Sequence, residues 1–193
     1  IVNDDVATPP TVSAVFNASP INLGSSRQLQ ITITNPTASP MTGVSLAAAA
    51  LPVNVNGSTP ATNCPSATAS YNSGTKEFSL SGGTLAAGAS CLSTLTVTPT
   101  AAGSYTYTTG VVSATGATGG TATTGALVVN AVPTVTSISP TAGPTGGGTT
   151  VTLTGANFTG VTAVTFGATA ATGFTFNSAT SITATAPAGA AGT

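Results

Sequence analysis

The sequence predicts an all-β chain of two tandem β-sandwich modules, and three observations carry that expectation. Apolar and polar residues alternate over short runs, most strictly in Arg27-Gln-Leu-Gln-Ile-Thr-Ile-Thr34, which places Leu29, Ile31 and Ile33 on one face of a half-buried strand. Gly, Pro and Asn turns punctuate those runs. The length of 193 residues exceeds the commonest single core, so two domains of about 100 residues or fewer suit it better than one.

In chain order, residues 1–10 read as an extended leader ending in Pro9 and Pro10, and residues 11–131 as a first sandwich. After the strand at Arg27–Thr34, the turn cluster Asn35-Pro-Thr-Ala-Ser-Pro40 leads to a strand beginning at Met41–Leu46. Ala47–Ala50 is the one helix-like run, but it is short and followed by Leu51-Pro52, so it is read as part of a β protein. Tyr71–Phe78 reads as a hairpin around Asn72–Gly74, Cys91–Thr98 as a strand, Ala102–Thr108 as a strand with Tyr105 and Tyr107 on one side, and Ala126–Val129 as the closing strand. A short Pro133-containing segment then opens the second sandwich, residues 132–193. Its strand candidates are Thr134–Ser139, Thr149–Thr154, Val161–Phe166, Phe174–Phe176 and Ser181–Ala186.

Hydrophobic residues make up 40% of the chain but aromatic ones only 5%, and Trp is absent, so the cores are expected to be aliphatic and thin. Charge is scarcer still: 3% of residues, against roughly 25% in an average soluble domain. Asp4, Asp5, Arg27, Lys76 and Glu77 are the charged side chains, and none lies between Phe78 and Thr193. Such a surface lacks the self-repulsion that keeps proteins apart, which favours association. A spacer kept apart by its anchor or by O-linked sugars on its Thr and Ser residues suits the composition equally.

The same inventory excludes whole classes of function. Nucleic-acid binding needs clustered Lys and Arg, and the chain has one of each, far apart. The long uncharged stretches carry Gly, Pro, Asn and Thr too often for a membrane-spanning helix. Ile1 opens no signal peptide, as expected of a mature chain or a fragment of a longer one. Asp4 and Asp5 are adjacent and point to opposite faces of any strand, Glu77 stands alone, and no His exists to activate the Ser and Thr hydroxyls, so no catalytic site is expected. No cofactor is expected either, and the segment between the modules lacks the carboxylates that calcium requires. Lys76 and Glu77, beside a hairpin turn, are expected to be solvated rather than part of an isopeptide crosslink.

Two cysteines, Cys64 and Cys91, complete the inventory. An even count in a Thr- and Gly-rich β protein points to one disulfide and an oxidising, extracellular compartment. Period two puts Cys91 on the inward face with Leu95 and Val97, which favours a buried bond over reactive thiols. A zinc site would need two further ligands.

Specific residues of the second module carry a resemblance. Pro133-Thr-Val-Thr-Ser-Ile-Ser-Pro-Thr-Ala-Gly-Pro-Thr-Gly-Gly-Gly-Thr-Thr-Val-Thr-Leu-Thr-Gly-Ala-Asn-Phe158, with Val164-Thr-Phe-Gly167 and Ser181–Pro187, resembles an IPT/TIG immunoglobulin-like domain. The first module is similar to repeat domains of large bacterial surface and secreted proteins through Pro20–Gly24, Leu29–Pro36, Leu80–Leu85, Gly88–Cys91 and Ala102–Tyr105. These resemblances imply two tandem immunoglobulin-like sandwiches in an extracellular scaffold, and they transfer no functional residues. Together with the neutral surface they lead to the expectation of a structural subunit of a bacterial surface fibre or stalk whose partners are copies of itself, as a homopolymer, or neighbouring modules of a longer chain.

A complete module of the second kind is expected to end with one more alternating strand after Ala188–Thr193; either further sequence supplies it, or the module departs from the family pattern, or an open groove is left for a neighbouring chain. An extended segment of another copy could fill it by strand donation. The candidate donor residues are Ile1, Val2, Val6, Val12 and Val15. The alternative function is an adhesin module that binds a host or matrix glycan or protein, with Tyr71 as the candidate aromatic contact.

Overall fold

The computed structural model describes residues 7–189. Every regular element among them is a strand, and no helix is long and apolar enough to cross a membrane. The chain divides into two compact units, Ile1–Val129 and Asn130–Thr193.

The first unit runs through β1 (Thr11–Phe16), β2 (Ile21–Asn22), β3 (Arg27–Thr34), β4 (Met41–Ala50), β5 (Val55–Thr62), β6 (Thr68–Asn72), β7 (Glu77–Leu85), β8 (Ser90–Pro99), β9 (Gly103–Tyr105), β10 (Val112–Ala114), β11 (Ala117–Thr118) and β12 (Leu127–Asn130). One sheet has the order β1-β3-β8-β5 and a second the order β11-β10-β4-β7-β6, with a small sheet β2-β12-β9 beside them. Leu29, Ile31 and Ile33 of β3 are fully buried, as their alternation requires, and meet Leu95 and Val97 of β8 in one apolar cluster. Val44 and Leu46 of β4 and Phe78 and Leu80 of β7 supply the facing layer of that cluster. Ala47–Ala50 lie in β4, held by pairing to β7, where register overrides the helix preference of alanine.

Two stretches depart from the sequence expectation. Residues 55–62, with Gly57 and Pro60, carry no strand signal, yet they form β5 by pairing with β8 and bulge between Ser58 and Ala61. Gly57 is required there: a Cβ would meet the Tyr71 ring at 2.7 Å and the Leu95 side chain at 2.9 Å. The strand expected at Ala102–Thr108 is confined to Gly103–Tyr105, and the chain beyond it turns Tyr107 into the core.

Thr124 and Thr109 fix that turn with buried hydroxyls, accepting from the amides of Tyr107 and Ala122 at 2.9 Å each. Burial pushes the Tyr107 phenol from 10.0 up to about 12. Its folded pKa lies above its unfolded value, so the neutral ring's contribution is intact below pH 10 and is lost as pH rises toward 12. Denaturant titrations across that interval are expected to lose roughly 2–3 kcal/mol. Tyr107→Phe is expected to flatten the decline, and an equally steep fall in the variant would assign it elsewhere.

The second unit contains β13 (Thr134–Ser139), β14 (Thr150–Ala156), β15 (Thr165–Phe166), β16 (Thr169–Ala170), β17 (Gly173–Ser178) and β18 (Ser181–Thr185). A four-stranded sheet has the order β13-β14-β18-β17, and β15 and β16 form a separate hairpin. The expected strand at Val161–Phe166 is reduced to Thr165–Phe166; Val161 and Val164 pack on the core from irregular chain.

Candidate interaction surfaces

Register decides which side chains of the second unit share a face, because residues directly opposite across an antiparallel pair point the same way. Ile138 lies opposite Leu153, Leu153 opposite Ile182, and Ile182 opposite Phe176. Val151 lies opposite Ala184, and Ala184 opposite Phe174. One face of the sheet is therefore apolar across all four strands.

The layer above that face is narrower than the sheet. Phe158, with Val161, Val164 and Phe166, packs over Val151, Leu153, Ile182 and Ala184, which are all buried. On the flanks Ile138 stays 42% exposed, Phe174 37% and Phe176 48%. A sheet face of this kind is normally covered along its whole width. Between the β13 side and the hairpin runs a groove of about 390 Å³, walled by Ile138, Val151, Phe166 and Ala186 and by the loop from Pro140 to Thr145.

The opposite face carries hydroxyls. Ser139, Thr152, Thr183 and Thr175 form one row across the strands, and Ser137, Thr154, Ser181 and Ser178 the next. Asn177 Nδ2 donates to Thr183 Oγ1 at 2.7 Å. Neither face carries a charged side chain.

The remaining candidates lie in the first unit. Cys64, just after β5, and Cys91, in β8, are joined by a disulfide with a Cα–Cα distance of 4.8 Å, and both are buried. Of the candidate donor residues, Ile1, Val2 and Val6 lie outside the described residues. Val12 and Val15 belong to β1, paired in cis with Ile33 and Gln30 of β3. That pairing uses one side of β1, which ends the sheet order β1-β3-β8-β5.

Tyr71 is half-buried, with its ring over Gly57 and its hydroxyl accepting from the Gly57 amide at 2.9 Å. Lys76 and Glu77 are half-buried rather than fully solvated; the Lys76 backbone carbonyl accepts from Leu51 N, and Glu77 Oε2 accepts from Thr75 Oγ1 on the exposed side. Among the described residues no three His, Cys, Asp or Glu side chains gather as metal ligands do.

A family model for a domain of unknown function matches residues 10–129, and the IPT/TIG domain model matches residues 133–193. No curated protein sequence matches the chain. Among solved structures, a cohesin module from a family 33 glycoside hydrolase of Clostridium perfringens is similar with a TM-score of 0.51 at 11% identity, covering 65% of this chain and 99% of that one. BcpA, the major pilin subunit of Bacillus cereus, matches with a TM-score of 0.47 at 10% identity over 65% of this chain and 41% of that chain. A non-cellulosomal cohesin from Archaeoglobus fulgidus gives 0.44 at 13% identity, covering 63% and 91%. The cohesin module from Clostridium perfringens supports the sandwich fold at this level of identity and nothing finer.

Proposed function

Because the chain belongs to the DUF7933 family, a domain of unknown function, we infer its role from its own surfaces: it is an extracellular structural module of a bacterial surface fibre or stalk. It works by associating with neighbouring modules and performs no catalysis. The observation that carries this reading is the second unit's sheet, whose apolar face is covered over its centre and open at Ile138, Phe174 and Phe176.

Burial of that face releases water from apolar surface, and no charge has to be desolvated with it. The groove at Ile138 and Phe166 has the chemistry to accept an uncharged β-strand with apolar residues at alternate positions, donated by a neighbouring copy. The buried disulfide supports an oxidising location outside the cytoplasm.

Sedimentation and electron microscopy of the purified chain test the reading. Concentration-dependent assembly into filaments is expected, with little change between low salt and about 1 M, because screening acts only on charges. A monomer at every concentration, or filaments that dissolve on adding salt, would overturn it.

A further inference from the structure

We propose that β17 is a docking edge for β17 of a second copy, the two strands pairing antiparallel about a two-fold axis so that two four-stranded sheets become one. This deepens the assembly reading above and rests on it for its biological setting. β17 ends the order β13-β14-β18-β17, so β18 takes one of its hydrogen-bonding sides and leaves the other open. All six of its residues, Gly173-Phe-Thr-Phe-Asn-Ser178, are exposed.

Exposed edges are ordinarily protected by charge, proline, a bulge or a cover. β5 has Pro60 and a bulge, and β13 has a register shift between Val135 and Ser137. β17 has neither charge nor proline. Its single irregularity lies between Phe176 and Ser178, leaving Gly173–Phe176 regular. β1 is also free of charge and proline, but its inward residues Val12, Ala14 and Phe16 already pack on their own core. Among the described residues, only at β17 does an open edge coincide with exposed aromatic side chains on the inward face.

The occupant follows from the pattern itself. With Thr175 opposite its own symmetry mate, Phe174 of each copy falls opposite Phe176 of the other, so the strand is complementary to itself, as a two-fold interface requires. Two cross-strand aromatic pairs then form on the inward face, where each ring otherwise faces water. No charged side chain opposes the contact, because the second unit has none. One strand pair makes a small interface, and repetition along a fibre raises its effective strength.

Thr175→Cys tests the geometry, since opposed residues in such a pair come within disulfide reach and the native cysteines are already paired. Under mild oxidation, T175C is expected to give a covalent dimer as its main product, whereas Ser13→Cys on the β1 edge gives little. The F174T/F176T double variant is expected to weaken self-association at least tenfold while keeping a cooperative thermal unfolding transition.

Equal crosslinking at positions 13 and 175, or unaltered association of the double variant, overturns the β17 assignment. If copies still form filaments in that case, the assembly reading stands and only this edge is wrong. A β17 dimer that never extends into filaments upholds the edge and removes the fibre.

Discussion

Replacing Cys64 and Cys91 together by serine is expected to lower the unfolding free energy of the first unit by about 3–4 kcal/mol. The bond closes a loop with a sequence separation of 27, and that loop contains the whole β6–β7 hairpin. Without it the unfolded chain regains the freedom of the loop. The folded chain loses little geometry, because β5 and β8 remain paired through their backbones from Val55–Pro99 to Thr62–Ser93.

The buried Ser93 hydroxyl already shares this corner, 2.9 Å from Thr62 Oγ1 and 3.8 Å from Cys64 Sγ, so part of the polar surface of the new serines has partners. For a unit of this size the melting temperature is expected to fall by roughly 10–15 °C. Calorimetry of the variant checks it, with the wild type in strong reductant as the parallel. A fall of less than about 3 °C would show that the unfolded chain gains almost nothing from losing the crosslink.

Asn35→Ala is expected to cost about 2–4 kcal/mol, although the residue sits in a connection rather than a strand. Its side chain is fully buried. Nδ2 donates to the carbonyls of Ser39 at 2.8 Å, Ala86 at 2.9 Å and Leu85 at 3.3 Å, while Oδ1 accepts from Thr37 N and Thr37 Oγ1 at 2.9 and 2.8 Å. These bonds fasten the β3–β4 crossing to the β7–β8 crossing.

The backbone completes the clamp, with Asn35 N donating to Ala89 O and Gly88 N to Thr37 O at 2.9 Å each. Alanine leaves several of these groups inside the protein without partners, which is the expensive case. Urea unfolding of the variant measures the loss. A midpoint within error of wild type would mean that water replaces the amide at no cost.

The alternation of Arg27–Thr34 and Cys91–Thr98 was enough to place Leu29, Ile31, Ile33, Cys91, Leu95 and Val97 inward. A strand with one buried face leaves its period in the order of residues, and so does a β protein built from short runs between turns. The near-absence of charge was likewise plain, and with it the chemistry the chain lacks. Asn35 was legible only as a turn residue, because a side chain that bridges two distant crossings looks locally like any Asn before Pro. β5 was not legible at all, since Gly57 and Pro60 suit it only to its place between Tyr71 and the edge of β8.

The residue order by itself determined the class of fold, the inward faces of the long strands, the cysteine pair and the neutral surface, because each depends on near neighbours or on composition. Only the tertiary structure decided that β1 pairs Val12 and Val15 within its own sheet. It also decided that the second unit's sheet is wider than its cover and that β17 lies at an edge with Phe174 and Phe176 open. Pairing between strands far apart in the chain sets the order of a sheet, and order determines which strand meets water.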